Sequence, residues 1–416
     1  MSENPAKKDI YCYAPFFHSH VDSQGENRLC CVANNDLVEA KWKSDLTSSP
    51  KDFWNSAYMK SRRGMMLNNE SPPECHYCRH PNTSEPNKVV YERNFAHVLH
   101  DLKYKIAPDL SVINRPYSLD YRTAICNLKC VMCGSGSSTS INSQYKLRAE
   151  VLSEKFGAED TCYHENLLEK SARTFDALEG LIDGGDLMYA YFAGGEPTLT
   201  KDHLGLLDRI LEKNSPRVHI SYNTNLMQTP EFVRAWKERL QRFEVVDLFC
   251  SIDGVGEVGA YQRYGIDLQR FEENLAILKP HDQKKFRLVF DATLTSLSVL
   301  RSLELARYAL SHGLKLRGRL CMVSFRASFI AMGYLALEVR QKIVTDFNAF
   351  FATLSEREQY LIQEYRDCLQ LILAEPEFDK EQLRRAEEDV EYFHLLYPEK
   401  VSYAEMIRRE LKELRS

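Results

Sequence analysis

Three cysteines in the run Ala124-Ile125-Cys126-Asn127-Leu128-Lys129-Cys130-Val131-Met132-Cys133-Gly134 are the residues of this chain best suited to chemistry. Their C-x3-C-x2-C spacing follows a strand-like segment, Tyr117–Thr123, and precedes small residues. Three thiolates so close together suit a metal centre that keeps one coordination position open, and an open position is where a reactive ligand binds. Zinc sites usually pair two C-x2-C units or add histidines, so three isolated thiolates fit zinc poorly. A second group lies earlier, at Cys12, Cys30, Cys31, Cys75 and Cys78. Grouped cysteines in a reducing compartment are expected to be metal ligands. Cys162, Cys250, Cys321 and Cys368 stand singly and are expected to be small apolar residues.

These groups need elements to position them. From about residue 116 the chain alternates β-rich runs with helical periods. Six strands are expected, at Tyr117–Thr123, Met188–Ala193, Val218–Asn223, Val245–Ile252, Phe286–Leu294 and Leu316–Val323. Amphipathic stretches lie between them at Leu167–Ile182, His203–Glu212, Pro230–Leu240, Leu268–Leu278 and Leu300–Ser311. Such alternation builds a parallel sheet covered by helices, and six units fall short of a closed eight-unit barrel. The expected fold class is α/β: a partial (β/α)6 TIM-like barrel over 110–325. A cysteine-rich domain over 1–100 precedes it, with little core of its own, and a helical region over 326–416 follows.

The 416 residues are 44% hydrophobic and 27% charged, with a net charge of -5, enough for an enzyme core with smaller domains. The mild, mixed charge gives no case for nucleic-acid binding. No apolar run is long enough to span a bilayer, and the N-terminus lacks the apolar region of a secretory signal. A cytoplasmic location is expected.

The run Cys126-x3-Cys130-x2-Cys133 resembles the cluster loop of the radical S-adenosylmethionine (SAM) enzymes. That resemblance implies a [4Fe–4S] cluster on the three thiolates, with the amine and carboxylate of S-adenosylmethionine on the fourth iron. It also implies a 5′-deoxyadenosyl radical that abstracts hydrogen from a substrate. Met132 stands where the family often has an aromatic and would pack near the adenine. Further elements follow in family order. Gly194-Gly195-Glu196 resembles the Gly-Gly-Glu element, whose Glu196 would meet the ammonium of S-adenosylmethionine. Asn223-Thr224-Asn225 resembles the element near the ribose, although Leu226 replaces a frequent glycine. Ser251 and Asp253 resemble the Ser-x-Asp segment, whose serine helps hold the carboxylate, and Arg263 in Tyr261-Gln262-Arg263-Tyr264-Gly265 could pair with it. An ordinary salt bridge is the plain alternative for Arg263.

Cys12-x12-Gly25-x4-Cys30, with Asp52-Phe53-Trp54-Asn55 and Cys75-x2-Cys78, resembles the auxiliary-cluster module called SPASM or twitch, placed ahead of the core. The resemblance implies that Cys12, Cys30, Cys75 and Cys78 ligate a second [4Fe–4S] cluster; a four-cysteine zinc site is the alternative. Cys31 could replace Cys30, but adjacent strand residues face opposite ways, so only one serves. His18 and His20 are expected on a strand surface.

Strand alternation puts Asp247, Ser251, Arg287, Asp291, Thr293, Arg317, Arg319 and Cys321 inside the barrel. Arg317 or Arg319 would pair with Asp291, or bind a carboxylate, phosphate or peptide backbone of a ligand. Cys321 is a candidate hydrogen donor, with a packing thiol as the plain alternative. The family implies an oxidoreductase-type activity on a peptide or protein residue, fed by a donor such as flavodoxin or ferredoxin. Chemistry on a small polar metabolite is the rival, and a non-catalytic iron–sulfur or zinc protein is the second.

Overall fold

The computed structural model describes residues 10–79, 106–113, 116–279, 285–321 and 326–415. Ten strands lie among them: β1 (His18–Val21), β2 (Asn27–Arg28), β3 (Ser118–Thr123), β4 (Lys129–Cys130), β5 (Tyr189–Gly194), β6 (His219–Thr224), β7 (Val245–Ser251), β8 (Arg263–Tyr264), β9 (Phe286–Leu294) and β10 (Lys315–Leu320). Eight of them form one sheet in the order β10-β9-β7-β6-β5-β3-β1-β2, and β4 pairs with β8 in a separate ribbon. The six expected strands are β3, β5, β6, β7, β9 and β10, each within a few residues of its expected bounds. The end of the sixth beyond Cys321 lies outside the described residues. Pairs β1–β3, β3–β5 and β9–β10 are parallel, and β2 is antiparallel to β1. The chain therefore has the expected α/β architecture, a mostly parallel sheet with helical crossovers and a helical C-terminal region.

Alternating side chains make the two sheet faces unlike. In β7, Val246, Leu248 and Cys250 are buried while Val245, Asp247, Phe249 and Ser251 are half-buried. Arg287, Val289 and Thr293 of β9 are likewise its less buried residues. The apolar face is the one covered by helices, as expected for a period of two. In β10, Gly318 faces the helix Glu356–Gln370. A Cβ there would sit 3.0 Å from Cδ2 of Tyr365 and 3.3 Å from Cβ of Cys368. The C-terminal region thus packs directly on the last strand of the sheet.

The chain divides into two compact units. One comprises Met1–Thr123, Leu168–Ser221 and Glu238–Val246; the other comprises Ala124–Leu167, Tyr222–Lys237 and Asp247–Ser416. This division differs from boundaries at 100 and 326. In the first unit the N-terminal segment contributes β1 directly to the sheet, in register with β3, so it is not a free-standing module. It also has the core that its loop-rich sequence seemed to lack. Phe16, Phe17, Leu46, Phe53, Trp54, Tyr58 and Met59 are all buried together.

Two helical expectations are corrected. Leu167–Ile182 is two helices, Leu167–Ala177 and Glu179–Ile182, and the fifth helix is Ser302–His312 after a 3-10 turn at Ser298–Arg301. A helix at Thr139–Phe156 was not expected from the apolar pattern.

Candidate functional site

In the second unit the cysteine loop is built from short-range hydrogen bonds. Ser138 caps the helix Thr139–Phe156, accepting from the amide of Ile141 at 3.3 Å, and its hydroxyl donates to the Leu128 carbonyl at 2.8 Å. The carbonyl of Cys126 accepts from Ser140 Oγ at 2.7 Å and Thr139 Oγ1 at 3.3 Å. Leu128 and Val131 are buried and anchor the loop between the cysteines. The ribbon β4–β8 then fixes its middle, pairing Cys130 with Arg263, while the Val131 amide donates to the Gln262 carbonyl at 2.9 Å. Met132 is half-buried beside it.

This loop fits a metal cluster in its donor chemistry. The Leu128 amide points at Sγ of Cys126 at 3.4 Å, a charge-stabilising donor for a sulfur ligand. Cys130 is held below the usual thiol range by a hydrogen bond from Cys133, against burial, with help from the Arg263 guanidinium.

Arg263 belongs to a buried ion pair. Its Nε lies 2.8 Å from Oδ2 of Asp253, whose side chain is fully buried, and its Nη2 donates to Oδ1 at 3.1 Å. The Thr293 amide donates to the same Oδ1 at 2.7 Å. Arg263 is thus engaged by protein on one side and adjoins Cys130 on the other. Ser251 is half-buried at the end of β7.

At the end of β6, Asn223 donates to Oδ2 of Asp291 at 2.9 Å. Oγ1 of Thr224 accepts from the Leu226 amide at 3.1 Å. Leu226 has φ of 57°, the left-handed conformation that glycine adopts at no cost, so the backbone shape survives the departure from glycine. Asn225, the last residue of that element, donates to Oδ1 of Asn127 at 2.9 Å and ties the cysteine loop to the strand.

Lys400 was also missed. It is buried near Cys130, over Tyr264 at 4.1 Å, Tyr261 at 4.8 Å, Tyr397 at 5.2 Å and Phe393 at 5.3 Å. Burial brings its ammonium down to about 7, although Cys130 and Glu399 oppose the shift. It lies in the C-terminal region, where no motif pointed to it. On the inner face, Asp291 receives Arg317 at 3.1 Å and also Arg319, as the strand alternation implied. Cys321 has its thiol pushed up to about 12 by burial.

In the first unit, Gly194 has φ of 96°, and a Cβ there would lie 2.3 Å from the Thr123 carbonyl oxygen. Glycine is required at this point by the close approach of β5 to β3. The Gly195 amide donates to the same carbonyl. Glu196 is buried and its Oε1 accepts from Thr198 Oγ1 at 2.6 Å and the Thr198 amide at 3.2 Å, capping the turn Pro197–Leu199.

The same unit brings the earlier cysteines together. Cys12, Cys30, Cys75 and Cys78 line one apolar cavity with Tyr11, Leu29 and Met66, and Cys31 is not among its lining residues. Burial pushes the Cys30 and Cys75 thiols up, so these sulfurs need a cation to become thiolates. The support for this cavity was not legible in the sequence. Buried Glu74, beside Cys75, accepts from Tyr58 at 2.7 Å and Arg62 at 2.6 Å. Arg63 donates to the carbonyls of Pro15 at 2.8 Å and Trp54 at 2.6 Å. His18 and His20, expected on a surface, are buried at 3% and 2% exposure.

Residues 121–296 match the family model described as Radical SAM superfamily. No curated protein matches the sequence. Among solved structures the chain is similar to native anSMEcpe with bound AdoMet, at 16% identity and TM-score 0.34, covering 57% of this chain and 58% of that one. It is similar to Streptococcus suis SuiB bound to precursor peptide SuiA, at 14% identity and TM-score 0.35, covering 68% and 57%. The third is TYW1 with a lysine-pyruvate adduct, at 13% identity and TM-score 0.30, covering 57% and 72%. The chain thus spans little more than half the length of the first two.

Proposed function

We propose that this chain, whose residues 121–296 match the Radical SAM superfamily model, is a radical SAM enzyme that generates a 5′-deoxyadenosyl radical and takes hydrogen from a peptide or protein residue. The observation that carries the reading is the cysteine loop, whose three thiols are presented on a backbone pinned at Cys130 and Asn127. Cys126, Cys130 and Cys133 would hold a [4Fe–4S] cluster. When bound, that cluster supplies the electron that splits the sulfonium of S-adenosylmethionine.

The chain's own residues prepare this site. The Leu128 amide and the Arg263 guanidinium stabilise sulfur charge next to the cluster loop. Asp253 holds Arg263 in place, so the cation is positioned before any ligand arrives. By the family resemblance, Met132, Gly194, Gly195, Glu196, Asn223, Thr224, Ser251, Asp253 and Arg263 contribute to S-adenosylmethionine binding. Cys12, Cys30, Cys75 and Cys78 would hold a second [4Fe–4S] cluster. Their convergence on one cavity supports this.

A peptide or protein substrate is what the family resemblance implies. A second reading, a small polar metabolite bearing a carboxylate or phosphate, is favoured by Arg317 and Arg319. Their side chains are 36% and 52% exposed while both pair with buried Asp291. Flavodoxin or ferredoxin is the proposed electron donor, and the cytoplasm the proposed location. Among the described residues no helix is long and apolar enough to cross a membrane.

The test is anaerobic reconstitution with iron and sulfide, followed by dithionite and S-adenosylmethionine. The wild-type chain should release 5′-deoxyadenosine and Cys126→Ala should not. Equal yields from the two would sink the reading. A mass change in a short peptide encoded beside the gene would select the peptide substrate over the metabolite.

A further inference from the structure

The inner face of the first unit carries a group that the cysteine chemistry does not use. Tyr121 points from β3 toward the helix Leu167–Ala177, its hydroxyl donating to the Ser171 carbonyl at 3.1 Å. Ser118, Asp120 and Arg122 alternate with it and therefore face the opposite side. Parallel pairing sets His18 beside Ser118 and His20 beside Asp120, so both imidazoles share that face. His18, His20 and Asp120 are 3%, 2% and 4% exposed. One donor atom from each lies within 4.8 Å of the other two.

We propose that His18, His20 and Asp120 form a mononuclear divalent-cation site, of the Fe2+ or Mn2+ class, built without any cysteine. Two imidazoles and one carboxylate are the donor set that such ions take with positions left open. Bonds of 2.0–2.2 Å would place neighbouring donor atoms about 3.0–3.6 Å apart, so closure from 4.8 Å needs a shift of about 1 Å. One pair is already there: Nδ1 of His20 stands 2.9 Å from Oδ2 of Asp120. Without an ion that contact is a buried ion pair, and an ion bound there would take the place of the proton between the two atoms.

The surroundings match a ligand shell. Ser118 Oγ lies 2.9 Å from Nδ1 of His18 and orients the ring, as an outer-shell partner of a ligating imidazole does. Arg122 approaches the other carboxylate oxygen, Oδ1, at 3.4 Å and leaves Oδ2 for the ion. Arg28, which pairs in register with His20, is engaged by Asp22 at 2.6 Å.

The site stands apart from the S-adenosylmethionine reading and is tested without turnover. The full chain, with its iron–sulfur sites loaded and held in their diamagnetic oxidised state, is titrated with Mn2+ alone and followed by electron paramagnetic resonance. One equivalent should bind per chain, and pulsed spectra should show nitrogen coupling from imidazole. His18→Gln and Asp120→Asn should each weaken binding at least tenfold, whereas Cys126→Ala should leave it unchanged. Absence of bound Mn2+, Mn2+ bound without nitrogen coupling, or equal affinity in wild type and His18→Gln would each overturn the proposal. The nitrogen coupling is read on the wild-type protein, so a variant that fails to fold leaves the test intact.

Discussion

Replacing Arg263 by Met should destabilise the second unit strongly, and replacing Asp253 as well should restore most of the loss. The ion pair is buried: Asp253 is fully enclosed, Arg263 is 12% exposed, and the closest contact is 2.8 Å. With Met at 263, the carboxylate keeps only the Thr293 amide at 2.7 Å. Stranding a buried charge in this way costs about 3–5 kcal/mol. For a cooperative unit of about 150–250 residues, each kcal/mol lowers Tm by about 2–4 °C, so a fall of roughly 6–20 °C is expected. The double variant Arg263→Met with Asp253→Asn removes both charges and should recover to within about 4 °C of wild type, since a missing ion pair costs far less than half of one. Anaerobic thermal unfolding by circular dichroism measures both. A drop under about 2 °C for Arg263→Met, or a double variant no better than the single, would refute the reasoning.

Cys30→Ala should lower iron from about eight to about four per reconstituted chain, while Cys31→Ala should leave it near eight, as iron analysis would show. Gly194→Ala places a Cβ 2.3 Å from the Thr123 carbonyl and should cost more than about 3 kcal/mol in thermal unfolding. Gly256→Ala, at φ of 59° with open space around it, should cost only about 1–2 kcal/mol. His203 is buried against Phe192, and burial alone pushes it down to about 3. Its unfolded pKa is about 6.5, so the unfolded chain binds a proton between pH 6.5 and 3 that the folded chain refuses. Stability from neutral His203 is therefore complete above pH 6.5 and about 2 kcal/mol lower at pH 5. Unfolding of wild type and His203→Phe at pH 7 and pH 5 checks this; the same pH dependence in both would count against it.

The strands were legible because a period of two with β-branched and aromatic residues survives without tertiary help, as at Phe286–Leu294. The helix Thr139–Phe156 was not, because its buried residues are Ile141, Gln144, Tyr145 and Leu152 while Leu147 and Val151 are exposed. Apolar residues on the wet side and a glutamine on the dry side erase the stripe that a sequence can show. His18 and His20 failed for a related reason. Alternating polar residues on a strand usually mark the solvent face, yet on this sheet His18, His20 and Asp120 are buried on it. For Arg263 the sequence offered a cofactor contact or an ordinary salt bridge. Only the placement of β8 against the end of β7 revealed Asp253 as its partner, ten residues away in the chain.

One physical rule connects these cases. A sheet face that must accept a polar ligand cannot be filled with apolar side chains, and the charges that take their place need partners of their own. In the second unit each inner carboxylate has found one on a neighbouring strand. Asp247 pairs with Arg287 at 2.7 Å, and Asp291 takes Asn223, Arg317 and Arg319 together. The pairing at Asp291 is uneven. The carboxylate is buried with 1% of its side chain exposed, while Arg319 is half exposed and Arg317 stacks on Phe249 at 4.0 Å. Because two guanidinium groups share one carboxylate, either can turn toward an incoming anion without stranding Asp291. The same surplus of cation over carboxylate is absent at Arg263, where one guanidinium meets one carboxylate. Arg263 is therefore fixed in place beside the cysteine loop, whereas Arg317 and Arg319 share their carboxylate and can turn.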